Sequence, residues 1–393
     1  MVLKTVNSST RSPATAMQGL PTVGIIGGGQ LGRMMAMAAH TLGLGVVILD
    51  PTPGSPAAQV VHRSIVAPFN SLQDLRRLAG ATDLLTVENE WVESQLLFQL
   101  EAEGVRVHPG AQTLALIQDK YCQREHLKAA GVPVPRFQAV ASCPEAEACA
   151  REWGFPVVLK ARLQGYDGRG VKIVYSVTEL RQGWLELGNH PLLIEAYVPF
   201  EREVAVMVAR STTGESCIYP VVETHQHNQV CHSVTAPAEL SSTMRDQCAA
   251  LALRSVECFD GVGIYGVEIF LGANGEAIVN ELAPRPHNSG HYTIEACFTN
   301  QFEQHLRAIL GLPLGRPDLQ VPAAVMVNIL ASADQEALNP SLDAVLAIEG
   351  VKLHWYGKRS ARTGRKLGHL TAVAAERTTA LERALRARAA LDV

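Results

Sequence analysis

The segment GVEIFLGANGEAIVNELAPRPHNSGH, residues 266–291, has two strand-like runs on either side of Asn274-Gly275. An Asn-Gly pair between such runs is a strong signal for a β-hairpin with a two-residue turn. With this pair at the centre of the turn, Ala273 faces Glu276 and, further along the strands, Glu268 faces Glu281. Two carboxylates directly opposite each other repel. Because Mg²⁺ binds carboxylate oxygens, the pattern predicts a metal site on a hairpin, with a solvated acidic pair as the alternative. Asn280 can supply a further oxygen.

The residues directly after this hairpin, APRPHNSGH (283–291), combine a rigid backbone with polar side chains. The two prolines restrict the chain. An isolated histidine is more often structural than functional. His287, however, directly follows the proposed metal strand, and we therefore treat it, with Arg285 and Asn288, as a candidate functional residue.

A glycine loop, GYDGRG (165–170), separates the strand-like runs FPVVLKA and VKIVYS. Its three glycines would let backbone N–H groups approach an anionic ligand closely. Lys160, near the end of the preceding strand, could place its ammonium on the same phosphates. The alternative is a mobile hairpin tip beside a surface lysine.

A second glycine run, GIIGGGQLGRM (24–34), follows a strand-like segment and opens a helix. This spacing matches a dinucleotide fingerprint, and Asp50 ends the next strand, where a ribose-binding acid would lie. A nicotinamide-dependent oxidoreductase is thus one hypothesis. It leaves the loop at 165–170, the paired glutamates and the basic C-terminal segment unexplained.

Strands and helices alternate over residues 22–118, which predicts an open, mostly parallel α/β sheet. Antiparallel-looking strands dominate further on, so the fold class is α/β combined with α+β. We divide the chain into a disordered extension (1–21), a parallel-sheet domain (22–118), a unit with the glycine loop (119–210), a unit with the glutamate hairpin (211–320) and a C-terminal basic unit (321–393).

Composition excludes several classes of protein. The formal net charge of the 393 residues is −4, and no apolar run reaches the length of a membrane span, so neither nucleic acid nor membrane is an expected partner. Eight scattered cysteines favour reduced thiols in the cytoplasm over disulfides or a zinc site. Residues 351–393 hold ten Lys/Arg and three acids, and the cluster at 358–366 could hold a phosphate.

Together these motifs resemble the ATP-grasp superfamily and, within it, the N5-carboxyaminoimidazole ribonucleotide synthetase family. The resemblance implies an ATP-grasp fold with an N-terminal Rossmann-like (pre-ATP-grasp) domain and a small C-terminal β-rich unit. It rests on GGGQLGRM (27–34), QDKYCQREHLKAAGVP (118–133), LKARLQGYDGRG (159–170), IEAYV (194–198), VEIF (267–270), NELAPRPHNSGH (280–291), and HWYGK with GRKLGHL (354–370).

The resemblance implies a complete ATP site. Lys120, Lys160 and the loop residues Gly165, Tyr166, Asp167, Gly168, Arg169 and Gly170 would surround the phosphates. Glu195, Ala196, Tyr197 and Val198 would meet the adenine, Glu203 the ribose, and Glu268 with Glu281 would hold Mg²⁺ beside Asn280.

The resemblance also implies a ribonucleotide site. Its members would be Gln30, Leu31, Glu88 or Glu90, Tyr166, Asp167 and Arg169, with Lys358, Arg365 and Lys366 on the 5′-phosphate. Arg285, His287 and Asn288 would line the bicarbonate side. The implied reaction is ATP-dependent carboxylation of 5-aminoimidazole ribonucleotide (AIR) through carboxyphosphate, in a cytoplasmic homodimer, with proton transfer by His287 or by Glu88 or Glu90.

Two departures and two rival functions accompany this resemblance. The family often has a histidine directly after an asparagine, and here Thr224 stands in place of that asparagine. Either His225 or His227 could correspond to the family's histidine. Lys120 follows Asp119 where arginine is also common. The related formate-dependent glycinamide ribonucleotide transformylases typically have Asp at the position of Asn288. A noncatalytic nucleotide-binding or scaffolding protein is the other alternative.

Overall fold

The computed structural model describes residues 19–163, 170–227, 230–336 and 342–391. Its N-terminal part consists of β1 (Thr22–Ile26), α1 (Gln30–Thr41), β2 (Gly45–Asp50), β3 (Arg63–Val66), α2 (Leu72–Ala79), β4 (Leu84–Val87), α3 (Ser94–Ala102), β5 (Val107–His108) and α4 (Ala111–Gln118). The strands pair in parallel in the order β3-β2-β1-β4-β5, as the alternation predicted. The glycine run after β1 and Glu88 after β4 therefore lie at the same edge of the sheet.

A smaller antiparallel sheet follows. The elements of this part of the chain are, in order, α5 (Lys120–Ala129), β6 (Phe137–Val140), α6 (Cys143–Trp153), β7 (Val157–Ala161), β8 (Val171–Val174), α7 (Val177–Glu186) and β9 (Leu192–Ala196). Its four strands form the sheet in the order β6-β9-β7-β8. Pairing of Val157 with Val174 and of Lys160 with Val171 confirms the predicted hairpin around the glycine loop. Of that loop, only Gly170 is within the described residues.

A long sheet forms the rest of the described chain. Its elements are β10 (Phe200–Arg210), β11 (Ser216–Ile218), β12 (Val222–His227), β13 (Val230–Ala236), α8 (Ser242–Glu257), β14 (Gly263–Gly272), β15 (Ala277–Ala283), a 3₁₀ turn (Asn288–Gly290), α9 (Thr293–Ala296), α10 (Gln301–Leu310), β16 (Ala323–Leu330), α11 (Asp343–Leu346), β17 (Val351–Trp355), β18 (Lys366–Ala374) and α12 (Arg377–Ala389). The order is β15-β14-β10-β12-β13-β16-β18-β17, with β11 beside β10.

The long sheet crosses two of the proposed domain boundaries. Strand β10 belongs to it although the sequence-based division places residues 200–210 with the smaller sheet. Antiparallel pairing of β13 with β16 continues the sheet into the C-terminal segment. The division at 118, 210 and 320 stays a prediction, since sheet continuity alone does not define folding units.

The glutamate hairpin has the predicted facing pair but a different turn. Gly275 N–H donates to Gly272 C=O, and Gly272 N–H donates to Glu276 C=O, each at 2.9 Å. The turn therefore has three residues, and the predicted pairing of Ala273 with Glu276 is wrong. A left-handed glycine after a tight turn is the usual three-residue form, and Gly275 has φ +77°. A β-bulge at Asn280 restores the register, so that Glu268 and Glu281 are partners.

Helix α10 connects the long sheet to the N-terminal domain. Asn300 caps it by accepting from the backbone N–H groups of Phe302 and Glu303, and Gly311, in the left-handed region, ends it. Phe302 and Ile309 pack in one core with residues of helix α1. Burial of a large apolar side chain stabilises by about 1.5–3 kcal/mol, so this contact fixes the two parts to each other. In the described part of the chain, no helix is long and apolar enough to span a bilayer.

Candidate active site

A cavity of about 480 Å³ lies between the smaller sheet and the long sheet. Small-molecule sites have volumes of roughly 300–1,000 Å³. The predicted nucleotide and metal residues in its wall are Lys120, Lys160, Glu195, Ala196, Tyr197, Val198, Glu203, Glu268, Asn280 and Glu281. Glu90, Arg285, His287, Asn288 and Lys366 line it as well. The cavity thus joins much of the proposed ATP site to part of the proposed ribonucleotide site.

Other predicted residues lie elsewhere. Among the described residues, those that do not line this cavity are Gln30, Leu31, Glu88, Gly170, Lys358 and Arg365. Those outside the described residues are Gly165, Tyr166, Asp167, Gly168 and Arg169. The roles proposed for both groups stay predictions.

Glu195 lies in a buried ion-pair cluster at the cavity wall. One carboxylate oxygen is 2.7 Å from Lys160 Nζ and the other is 2.7 Å from Arg124 Nε. Burial alone would raise the pKa of Glu195, but Arg124 and Lys160 lower it to about 2. Both carboxylate oxygens of Glu195 are therefore engaged within the protein. A contact of residues 195–198 with a base would be made by backbone groups or by the neighbouring side chains.

Three carboxylates share one face of the long sheet. Burial raises the pKa of Glu268 well above its usual range, and Glu203 and Glu281 raise it further. Lys120 Nζ is 2.8 Å from Glu281 and, with Lys160, brings the pKa of that carboxyl to about 2 against the effect of burial. Glu203 accepts hydrogen bonds from Gln226 at 2.9 Å and Thr224 at 3.2 Å. The three carboxylates that lie close together around Glu268, in the wall of the cavity, fit a hard divalent cation such as Mg²⁺.

His287 is held rigidly beside Glu268. Its Nε2 is 3.7 Å from a Glu268 oxygen, and its Nδ1 is 2.8 Å from Ser289 Oγ. Gln301, which is fully buried, accepts from the His287 backbone N–H and donates to the His287 carbonyl, both at 2.8 Å. The backbone of His287 is thus held by helix α10, because Gln301 is the first residue of that helix, while Ser289 orients the ring.

The structure separates the two candidate acids of the sequence TVENEW. Glu90 lines the cavity, where its carboxylate is 2.8 Å from Arg285 Nε. Glu88 instead accepts from Leu31 N–H at 3.3 Å, at the N-terminus of helix α1. Burial raises the pKa of Glu88. Only Glu90 is therefore in the same cavity as His287.

The first glycine run binds a carboxylate of the protein itself. Asp50 accepts from Gly28 N–H and Thr52 N–H, each at 2.7 Å. Asp50 therefore anchors the backbone of this loop, which removes the feature on which the oxidoreductase hypothesis depended.

The predicted phosphate-binding cations point in different directions. Lys366 is buried and lines the cavity. Lys358 Nζ donates to the Lys366 carbonyl at 2.6 Å, and Arg365 is exposed and donates to the Ser360 carbonyl at 3.3 Å. Their spacing in the sequence did not reveal this separation.

Comparisons with known proteins agree with this architecture. The ribonucleotide synthetase preATP-grasp domain matches residues 20–118, the ATP-grasp domain matches 125–302, and the phosphoribosylaminoimidazole carboxylase C-terminal domain matches 324–383. The chain is 45% identical over 360 residues to the N5-carboxyaminoimidazole ribonucleotide synthase of Synechococcus elongatus, covering 91% of each chain. The chain belongs to the N5-carboxyaminoimidazole ribonucleotide synthetase family.

Two further similarities extend this assignment. The phosphoribosylaminoimidazole carboxylase of Schizosaccharomyces pombe is 44% identical over 358 residues, and the match covers 89% of this chain and 64% of that longer protein. A crystal structure of the Aspergillus clavatus N5-carboxyaminoimidazole synthase, in complex with ADP and 5-aminoimidazole ribonucleotide, superimposes with a TM-score of 0.86 at 33% identity, covering 93% of this chain and 96% of that one. The predicted ATP-grasp fold is therefore confirmed.

The structure also reveals site residues that the sequence did not predict in this member of the N5-carboxyaminoimidazole ribonucleotide synthetase family. Gln226 lines the cavity and donates to Glu203, whereas His225 and His227 are not among the residues that line it, which identifies the residue of this segment that faces the site. Alternation of side chains along β12 could have paired Gln226 with the buried Thr224. Asn328 exchanges two amide hydrogen bonds with Asn288, at 2.6 and 2.9 Å. No local signal in the sequence links residues forty positions apart.

Proposed function

We propose that this chain catalyses the ATP- and bicarbonate-dependent carboxylation of AIR to N5-carboxyaminoimidazole ribonucleotide, with release of ADP and phosphate. One observation carries the proposal. The facing glutamates Glu268 and Glu281 share a cavity with Lys120 and Lys160, and the same cavity continues to Arg285. The residues proposed to bind the phosphates of ATP and those proposed to bind carboxyphosphate line one cavity, which supports coupling of ATP to a carboxylation.

In the ATP half, the residues supply charge and position. Glu268 and Glu281, with Asn280 beside them, would hold Mg²⁺, which when bound neutralises phosphate charge and orients it for transfer. Lys120 and Lys160 lie on the same wall and would hold the phosphoryl group through their ammonium groups. Bicarbonate oxygen attacks the γ-phosphorus, and ADP leaves with the bridging oxygen, so that carboxyphosphate forms.

In the carboxylation half, Arg285 and His287 are the candidate groups. The Arg285 guanidinium, fixed by Glu90, would stabilise the anionic carboxyphosphate. The exocyclic amine of AIR attacks the carboxyl carbon, phosphate leaves, and the amine loses one proton. Orientation by Ser289 and Gln301 makes His287 the candidate acceptor for that proton.

A phosphate-release assay tests this function. We expect release from ATP and bicarbonate to increase when AIR is added, and not when glycinamide ribonucleotide and formate are added. The opposite preference would identify the formate-dependent transformylase activity, and no release with either pair would favour a noncatalytic protein. His287→Ala should lower turnover with AIR, and undiminished turnover would exclude His287 as the proton acceptor.

The assembly and location of the enzyme are further parts of the proposal. The resemblance to the family supports a homodimer, which light scattering on the purified protein tests. The same resemblance and the scattered cysteines support a cytoplasmic location, which fractionation of the source cells tests.

A further inference from the structure

His305 on helix α10 connects two sheets through both of its ring nitrogens. Its Nδ1 accepts from the Ile264 backbone N–H at 3.1 Å. A neutral imidazole with Nδ1 as acceptor carries its proton on Nε2. That Nε2–H therefore donates to Thr86 Oγ1, which is 2.8 Å away. His305 and Thr86 are both fully buried, so solvent does not compete for these bonds.

The two partners belong to strands that carry proposed site residues. Thr86 is on β4, two residues before Glu88, whose carboxylate binds the N-terminus of helix α1 near Gln30. Ile264 is the second residue of β14, the strand that carries Glu268. The parallel sheet and the long sheet are separate hydrogen-bonded units. His305 thus bridges the proposed ribonucleotide wall and the proposed metal strand.

The backbone around His305 leaves little freedom for the ring. Gly263 has φ +125°, and a Cβ added there would lie 2.9 Å from His305 Cε1. The imidazole therefore packs directly on the start of β14. On the same helix, Phe302 and Ile309 pack in one hydrophobic core with apolar residues of helix α1. A shift of His305 would accordingly move β14 relative to β4.

We propose that His305 is a positioning residue for the carboxylation step. It keeps the segment that carries Glu88 in register with the strand that carries Glu268, so that the ribonucleotide amine meets the acyl phosphate beside Glu268. This inference rests on the proposed function. The residue touches neither substrate, and its effect passes through Thr86 and Ile264.

Amide side chains allow the two bonds to be removed separately. His305→Asn keeps an acceptor near the position of Nδ1 and loses the donor to Thr86. His305→Gln keeps a donor near the position of Nε2, and Thr86→Val removes the hydroxyl at nearly constant volume. Gln304→Leu is the matched control, because Gln304 is an equally buried residue of α10 whose amide donates to the carbonyl of Gly315 at 2.7 Å, far in sequence from the site residues.

We expect Thr86→Val and His305→Asn each to raise the KM for AIR about tenfold, with the KM for ATP within twofold of the wild-type value. The double variant should have a KM for AIR no higher than that of either single variant, because both substitutions remove the same hydrogen bond between His305 and Thr86. His305→Gln should restore the KM for AIR to within about threefold. Gln304→Leu should lower thermal stability without changing the ratio of the two KM values.

Hydrogen exchange gives a readout that needs no substrate. In His305→Asn, peptides covering 84–90 should exchange faster while those covering 263–269 keep their protection. Equal loosening of both peptides, or the same KM pattern in Gln304→Leu, would overturn the positioning role. Failure of the wild-type protein to respond to AIR would instead reject the proposed function, and exchange would still test the bridge.

Discussion

Glu268 is the residue at which fold stability and function oppose each other most directly. Its side chain is largely buried and lies near Glu203 and Glu281, and these effects together raise the pKa of its carboxyl well above the usual range. Lys120 and Lys366 lower the pKa of Glu268 but offset only part of this increase. Such an arrangement is expected where a cation binds, since the neighbouring carboxylates repel each other in the metal-free protein and a bound cation would remove this repulsion.

Glu268→Gln should therefore stabilise the metal-free protein and inactivate the enzyme. We expect the free energy of unfolding in EDTA to rise by about 1–2 kcal/mol, because one buried like charge is removed. AIR-dependent phosphate release with Mg²⁺ should fall by about 100-fold or more. Urea unfolding and the phosphate assay measure the two effects. Glu276→Gln, an exposed residue of the same hairpin, should change neither. Destabilisation in EDTA would show that Glu268 is satisfied without a cation.

At the scale of elements, the hairpin β14–β15 shows how two local irregularities cancel. The three-residue turn shifts the register by one residue, and the bulge at Asn280 shifts it back. Only Gly275, not Asn274, has a positive φ in this turn. The Asn-Gly signal therefore identified the hairpin correctly, while the turn type followed from the pairing of Gly272 with Glu276 and the positive φ of Gly275.

Substitutions in this turn distinguish the two turn types. Gly275→Ala should cost about 1–2 kcal/mol, because an L-residue is strained in the left-handed region. Asn274→Gly should also destabilise, through chain entropy and loss of the Asn274 contact to Glu276 N–H. A two-residue turn needs positive φ at both positions, so stabilisation by Asn274→Gly would contradict the observed geometry. Thermal unfolding measures both changes, with the exposed Ala273→Ser as the control.

At the scale of the whole molecule, the burial of His305 between two sheets predicts that domain packing depends on pH. Burial lowers its pKa to about 3, with a further contribution from His108. The usual value is near 6.5, so the folded state binds fewer protons than the unfolded state between these values. The contribution of the neutral, buried His305 ring to the free energy of unfolding is therefore complete above pH 6.5 and is lost as the pH falls toward 3.

The difference in stability between the wild type and His305→Asn should consequently shrink in acid. We expect the wild-type advantage to fall by about 1.7 kcal/mol between pH 6.5 and 5, because the slope approaches about 1.4 kcal/mol per unit only below pH 6. Urea unfolding at several pH values measures this. His108 is present in both proteins, so its own titration contributes to both, and only its interaction with the His305 ring remains in the difference. A pH-independent difference would show that the ring is protonated in the folded state or accessible to water.

Much of this protein could be predicted from local spacing. Alternating strands and helices over 22–118 identified the parallel sheet, and the hairpin pattern identified the facing pair Glu268 and Glu281. These features are determined by the sequence because strand and helix periodicity act over a few residues. The motif resemblance supplied the family, and the comparisons confirmed it.

Only the tertiary structure decided which distant residues meet. It placed Glu90 rather than Glu88 in the cavity with Arg285, directed Lys366 inward and Arg365 outward, and joined Gln301 to His287 and His305 to Thr86. Each of these contacts depends on how sheets and helices pack across tens or hundreds of residues. Local periodicity predicts which face of an element is buried, but not which polar group lies opposite, because that partner is set by the packing of the whole chain.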